Sequence, residues 1–347
     1  MKDKNKRLGV ALLGLGKYAT DQLAPALQET TGCYLAGIVT GSPHKATAWK
    51  EKYDLPPQNI YSYDNFDNIR SNPDIDIVYV VTPNALHADF VIRAAKAGKH
   101  VICEKPMAVS VEEADRMIDA CMGAGVSLSV GYRLHFEPYN RQMMKLAATH
   151  KYGYVQKIVA KDGVSDMDGW RLNKQLAGGG ALMDLGIYCL QAANYISNKQ
   201  PIAVTAEQPP ATNPAKFHEV EESVYFRLEY PGGFTAECHC SYTKEMNYLR
   251  ADANNGWFEL EPAFGYAGIK GKTSFGKMNF DAVNQQALEM DSIAAAINKD
   301  RASPVPGEMG REDVQVLMAI YEALESGKRV LLDPVIRGSA TVETGAE

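Results

Sequence analysis

The most constraining feature of this chain lies within its first thirty residues. An apolar run of strand length, Leu8–Leu13, leads directly into Gly14-Leu15-Gly16-Lys17-Tyr18-Ala19, and a helical stretch follows to about Glu29. A strand that turns on two glycines into a helix start is the context a dinucleotide-binding loop requires. The glycines permit the tight turn and let a pyrophosphate approach the backbone. The helix start then offers unpaired N–H groups and a favourable dipole. Gly14, Gly16, Lys17, Tyr18 and Ala19 are the cofactor contacts this loop nominates.

Alternation of strands and helices continues to about residue 133. Tyr34–Val39 reads as a strand and Lys45–Tyr53 as a helix. Ile75–Val81 is a buried, β-branched strand that ends in Thr82-Pro83-Asn84. A helix from His87 to Ala97 closes at Gly98, and the strand His100–Cys103 precedes Glu104-Lys105-Pro106. Ser110 and Glu113 form a capping-box pattern before the helix Val111–Ala124, and Ser127–Gly131 gives a further strand. This order predicts βαβ units and a doubly wound parallel sheet, a Rossmann domain over residues 1–133.

Beyond residue 133 the pattern changes. A helix over Pro138–Thr149 and a mixed stretch to Gly180 come first, then a helix from about Ala181. Longer alternating runs follow at Glu221–Glu229 and Phe234–Tyr242, with late helices at Asn284–Lys299 and Arg311–Ser326. The alternating runs predict an antiparallel sheet with one exposed face. A second, α/β domain over 134–332 is expected to bind substrate and mediate oligomerisation, and a small polar tail over 333–347 to fray.

A length of 347 residues suits two domains. With 36 basic and 42 acidic residues the net charge is −6, which argues against a nucleic-acid or anionic-membrane surface. No apolar run is long enough to span a bilayer. Cys33, Cys103, Cys121, Cys189, Cys238 and Cys240 are scattered without a CxxC pair, which favours reduced, buried thiols. Strand alternation turns Cys238 and Cys240 to one face and His239 to the other, so no metal site is expected there. Lys2, Lys4, Lys6 and Arg7 superficially resemble the start of a secretory signal. The glycine-interrupted run behind them is better explained as the first strand, and a cytoplasmic chain beginning at Met1 is expected.

The second strand bears on cofactor choice. A chain that binds NAD usually ends this strand in an acid that bonds the ribose 2′-OH. Here it ends in Val39-Thr40-Gly41-Ser42-Pro43-His44-Lys45. Thr40, Gly41, Ser42 and Lys45 instead suit the 2′-phosphate of NADP. The alternative is a helix cap at Thr40 or Ser42 beside a solvated Lys45. Glu104 and Lys105 leave the carboxyl end of a buried strand, where ligands bind in open parallel sheets. Asp184 and Tyr188 are spaced i, i+4, which places both on one face of a helix. A carboxylate and a phenol with a lysine opposite can move a proton on a sugar hydroxyl, since a neighbouring ammonium favours the phenolate. The alternative is that Tyr188 packs in a core and Asp184 caps the helix.

Gly14–Ala19, Thr82-Pro83-Asn84, His87, Ala97–Val101, Glu104-Lys105-Pro106 and Gly178–Tyr188 together resemble the glucose–fructose oxidoreductase and inositol dehydrogenase superfamily. Tyr61–Phe66, Gly131–Pro138, Trp170-Arg171-Leu172 and Gly180–Tyr188 are closer to the glucose–fructose oxidoreductase branch, and the resemblance runs from residue 8 to about 332. It implies a Rossmann domain followed by a large, open, mostly antiparallel sheet through which a homo-oligomer, dimer or tetramer, commonly forms. It maps the essential lysine onto Lys105, the aspartate onto Asp184 and the acid/base residue onto Tyr188. Inositol dehydrogenases typically carry histidine at this last position. It also places Tyr63, Thr82, Pro83, Asn84, His87, Glu104, Arg133, Trp170 and Arg171 near the cofactor.

The implied activity is NADP-dependent transfer of a hydride between the nicotinamide and C1 of an aldose, with the cofactor either retained through the cycle or exchanged as in an ordinary aldose or polyol dehydrogenase. A non-catalytic sensor of NADP and sugar is the other reading. The prototype of the branch carries an export signal and a cofactor-wrapping arm. This chain opens almost on its first strand, which speaks against export, arm-mediated assembly and permanent cofactor retention.

Overall fold

A computed structural model describes residues 6–332. Lys2, Lys4 and the tail over 333–347 lie outside the described residues. Six short apolar segments form the first sheet: β1 (Leu8–Leu13), β2 (Cys33–Val39), β3 (Ile60–Tyr61), β4 (Ile77–Val80), β5 (His100–Cys103) and β6 (Leu128–Val130). All neighbours are parallel, in the order β3-β2-β1-β4-β5-β6. The order reverses between β1 and β4, which opens a crevice at their carboxyl ends. β1 and β4 are buried on both faces, so they read as unbroken apolar runs rather than alternating ones.

The caps read from the sequence are largely present. Ser110 Oγ accepts from the N–H of Glu113 at 3.2 Å, and Gly98 closes the helix His87–Lys96 at φ +74°. The Glu113 carboxylate, however, accepts from Val109 N–H at 3.4 Å rather than from Ser110 itself. The return arm of the box therefore lands one residue early.

The second sheet has nine strands: β7 (Val155–Gly163), β8 (Ala203–Glu207), β9 (Ser223–Glu229), β10 (Thr235–Ser241), β11 (Met246–Ala253), β12 (Gly256–Leu260), β13 (Gly271–Thr273), β14 (Gly276–Lys277) and β15 (Val330–Leu331). They run in the order β14-β13-β12-β11-β7-β10-β9-β8-β15. β7 and β10 pair parallel; the other pairs are antiparallel. One face packs against the helix Ile187–Ser197. The other carries Tyr225, which is 45% exposed and stacks on His239 at 3.8 Å. Cys240 pairs with Val224 and His239 with Tyr225, so the thiols and the imidazole do occupy opposite faces.

The late helices return to the first sheet. Asp291, on the helix Gln285–Asn298, accepts from the backbone N–H groups of Thr31 at 3.0 Å and Gly32 at 2.8 Å. Val130 N–H donates to Val305 at 2.9 Å, and the helix Gly307–Ser326 packs on Val111–Ala124.

Candidate active site

At the carboxyl end of β1, Gly14 adopts φ +101° and bonds through its N–H to Val39 at 3.0 Å. A Cβ at Gly14 would stand 2.7 Å from the Val81 carbonyl, so only glycine fits that turn. A Cβ at Gly16 would meet nothing within 4 Å: the space above the loop is open. The first helical turn behind it begins at Ala19. Lys17 is exposed and Tyr18 half-buried, with its ring 5.8 Å from that of Tyr266.

The acid-free segment lies beside this loop. Ser42 caps the helix Pro43–Tyr53, accepting from Lys45 N–H at 3.3 Å, and Thr40 Oγ1 accepts from Ser42 N–H at 3.2 Å. Both hydroxyls are therefore already engaged with backbone, as the capping alternative held. Lys45 is not simply solvated. Its ammonium donates to the Leu15 carbonyl at 2.7 Å, which fixes a positive charge against the glycine loop. The Tyr63 ring packs over Gly41, and a Cβ there would lie 3.0 Å from it.

Lys105 follows β5 directly and points across the cleft. Its ammonium donates to the Asp184 carbonyl at 2.7 Å and to the Asp184 carboxylate at 3.4 Å, and lies 4.3 Å from the Tyr188 ring centroid. The other carboxylate oxygen of Asp184 accepts from Arg171 Nε at 2.8 Å. Burial opposes ionisation of both partners. For Lys105 that cost is overcome by Tyr188, Asp184 and Glu104, which hold its pKa above the ordinary lysine value. For Asp184 it is overcome by Lys105 and Arg171, which hold the carboxyl below its ordinary range. The result is an ammonium and a guanidinium locked on one carboxylate, with the ammonium over the Tyr188 ring.

Asp184 lies in a π turn, Leu182–Gly186, that runs into the helix Ile187–Ser197 carrying Tyr188. Such turns are frequent at functional sites. The start of this unit is tied down by Glu221, whose carboxylate accepts from the N–H groups of Gly180 at 2.9 Å and Leu182 at 3.0 Å, and from the Tyr321 hydroxyl at 2.9 Å. A Cβ at Gly179 would lie 1.8 Å from that same hydroxyl, so the glycine run is dictated by packing.

Several residues expected near the cofactor are engaged by the protein itself. His87 is fully buried, with its two ring nitrogens each 3.0 Å from a carbonyl, those of Pro106 and Thr82. It pins two loops together and does not line the cleft. Arg133 is 3% exposed, and its guanidinium donates to the carbonyls of Phe264 at 2.6 Å and Gly265 at 3.1 Å and to Gln285. It lies beneath the rings of Tyr188, at 5.2 Å, and Tyr266, at 4.4 Å, so it backs the phenol. Arg171 serves Asp184, with Trp170 against its guanidinium at 4.7 Å. Glu104 is buried and accepts from the Tyr79 hydroxyl at 2.7 Å. Asn84 donates to the Ala177 carbonyl at 2.8 Å, and Pro83 starts the turn that carries it. The Thr82 hydroxyl, buried beside Gly14, has no hydrogen-bond partner among the described residues.

Four residues near the site escaped the sequence reading: Asp162, Glu221, Tyr266 and Glu289. Glu289 is fully buried 3.3 Å from the Tyr79 hydroxyl, and burial together with Glu104 pushes its carboxyl far above the ordinary range. Asp162 had one visible signal, an acid where the alternation Ile158, Ala160 calls for an apolar side chain.

Comparison with known proteins matches residues 8–132 to the model of an oxidoreductase family with an NAD-binding Rossmann fold, and residues 141–261 to a GFO/IDH/MocA C-terminal domain. The chain is 30% identical to a D-xylose 1-dehydrogenase [NADP(+)] of Haloarcula marismortui, over 93% of this chain and 92% of that one. It is 28% identical to D-xylose 1-dehydrogenase (NADP(+)) 2 of Haloferax volcanii, over 93% of this chain and 99% of that one. Among solved structures, the aldose–aldose oxidoreductase of Caulobacter crescentus, complexed with glycerol, superposes with a TM-score of 0.92 at 41% identity, covering 94% of this chain and 100% of that one.

Proposed function

The chain belongs to the GFO/IDH/MocA oxidoreductase family, and from that premise we propose that it is an NADP-dependent sugar oxidoreductase working at C1 of an aldose. The observation that carries this reading is the convergence of Lys105, Asp184 and Tyr188 beside the glycine loop. A dinucleotide fits that loop. The space above Gly16 is open, and the Thr82 hydroxyl is left without a partner among the described residues. The lysine fixed at Leu15 and the lack of an acid after β2 support NADP over NAD, as do the two relatives named for that cofactor.

When bound, the nicotinamide supplies the hydride acceptor. The protein's task is to remove the hydroxyl proton as the C1–H bond breaks, since otherwise a high-energy oxocarbenium would form. Tyr188 takes that proton on its phenol oxygen, and the C1 oxygen becomes a carbonyl. Lys105 and Arg133, 4.3 and 5.2 Å from the ring centroid, supply a positive field for a phenolate. Two ammonium protons of Lys105 are directed at Asp184, which leaves one for the reacting oxygen. Asp184 holds that ammonium in place and is itself held by Arg171.

Turnover of an aldose deuterated at C1 tests the assignment: the label should appear in the reduced cofactor. Turnover with no label transferred would place the oxidised carbon elsewhere. A protein that binds sugar without turnover would favour a sensor. A reduced-nicotinamide absorbance band in the protein as purified would mark a retained cofactor, and its absence an exchanging one.

The outer face of the second sheet, with Tyr225 exposed on it, supports a homo-oligomer, dimer or tetramer. Sedimentation as a 38.0 kDa species at micromolar concentration would refute that. Six free, buried cysteines support a cytoplasmic location. Among the described residues no helix is long and apolar enough to cross a membrane.

A further inference from the structure

Along β7, alternate residues Ile158, Ala160 and Asp162 turn towards the covering helices. The first two are fully buried and apolar, whereas the third is an acid. Asp162 stands one residue from the end of the strand, in register with Cys240 of β10 and Asn247 of β11. The π turn that carries Asp184 packs on β7 and β10 at this point. Lys105, Arg133 and Asp184 all act on the Asp162 carboxyl, and the thiols of Cys189 and Cys240 lie within its field. Asp162 therefore lies at the end of β7 beneath the turn that carries Asp184, within the field of the catalytic cluster.

Its bonding is incomplete. Glu104 accepts from Tyr79; Glu221 from two backbone N–H groups and Tyr321; Asp313 from Tyr132, Gln191 and Asn194. Among the described residues, Asp162 has the N–H of Gly163 and no side-chain donor. The residue is only 6% exposed, yet its carboxylate is not sealed off: neither oxygen belongs to the buried polar atoms that lack a partner. Burial raises its carboxyl to about 7, with Asp184 adding to the effect against Lys105 and Arg133. A half-satisfied buried acid is costly, and a donor arriving with the substrate would complete it.

We infer that Asp162 is a further substrate-contacting residue, which hydrogen-bonds a hydroxyl of the sugar other than the one oxidised and so selects among aldoses by the presence and orientation of that hydroxyl. This rests on the sugar-oxidoreductase reading above. Asp162 works as a positioning and specificity group and takes no proton from C1.

The test uses the full-length enzyme with NADP and a panel of aldoses and their monodeoxy analogues, comparing the parent with Asp162→Asn and Asp162→Ala. Losing a hydrogen bond to a charged partner corresponds to about 10–100-fold. KM for the best sugar should rise by that factor in Asp162→Ala, with kcat changed far less and NADP affinity unchanged. One monodeoxy analogue should show the same weakening with the parent and no further weakening with Asp162→Ala. The neutral-range inflection in the parent's kcat/KM profile should vanish in Asp162→Asn. A purely structural role would move neither the analogue match nor the inflection. A parent that turns over its aldose while both variants keep parental KM for every sugar overturns this inference alone. A parent that turns over no aldose overturns the reading beneath it, and this inference with it.

Discussion

Replacing Asp162 by asparagine should make the protein more stable at neutral and alkaline pH, although it removes a charged residue beside a lysine. Folding carries this carboxyl from its ordinary value of 3.8 to about 7, with burial the largest cause and Asp184 adding to it. The acid's proton is therefore held more tightly in the folded chain than in the unfolded one. Between about pH 4 and 7 the folded chain keeps a proton that the unfolded chain has released, so stability falls as pH rises through that window. Above it, a difference of that size corresponds to about 4 kcal/mol. The amide must itself be accommodated in a tight site, which reduces the expected gain to about 2–4 kcal/mol. Urea unfolding of the cofactor-free protein at about pH 4.5 and about pH 8 reads this directly. Other buried acids with raised values, such as Glu221, Glu289 and Asp313, contribute to both chains and cancel in the difference. The variant should match or trail the parent at the acid end and exceed it at the alkaline end. A stability difference that does not change between the two pH values, or a variant weaker than the parent at about pH 8, would refute the account of Asp162 as a strained, incompletely bonded acid.

General-base catalysis contributes about 10²–10⁴-fold, so Tyr188→Phe should lose turnover by that factor and Lys105→Met by at least as much, both with NADP binding intact by fluorescence titration. Lys45→Ala should weaken NADP about 10–100-fold while leaving NAD nearly unchanged; equal losses for both cofactors in calorimetry would move the 2′-phosphate contact elsewhere. Gly179→Ala would drive a methyl group to 1.8 Å from the Tyr321 hydroxyl, and overpacking of this kind costs about 1–3 kcal/mol. That should appear as a lowered urea midpoint together with lost turnover, because the displaced Tyr321 also anchors Glu221 at the start of the Asp184–Tyr188 unit.

Much of this molecule was legible where the deciding interaction is local. The turn at Gly14 and the caps at Ser110 and Gly98 follow from spacing of a few residues, and all three features are present; Asp184 and Tyr188 are joined through a π turn instead of the continuous helix that the spacing implied. The meeting of Lys105 with Asp184 spans 79 residues, and it came from the family resemblance rather than from periodicity. What stayed hidden depends on partners brought together by the sheets. Arg133 was expected near the cofactor, and the carbonyls of Phe264 and Gly265, 131 and 132 residues away, fix it beside Tyr188. His87 was expected near the cofactor, and its two ring nitrogens are held by the carbonyls of Pro106 and Thr82. Glu221 reads as the polar edge of a strand, and only its placement under Gly180 reveals a helix cap. Lys45 had two readings, and its Leu15 bond decides against free solvation.

The return of the late helices to the first sheet also bears on how the chain is made. β6 is flanked by residues around Val305 and Pro306, the Thr31–Gly32 loop is closed by Asp291, and Tyr79 and Glu104 are covered by Glu289. A nascent chain emerging at about 5–20 residues per second cannot complete its nucleotide-binding half until roughly 15–60 s after the first strand appears. Until then that half presents an unpaired backbone edge and the uncovered Tyr79–Glu104 pair to the translating cell. A polypeptide released early would offer chaperones and proteases the open flank of β6.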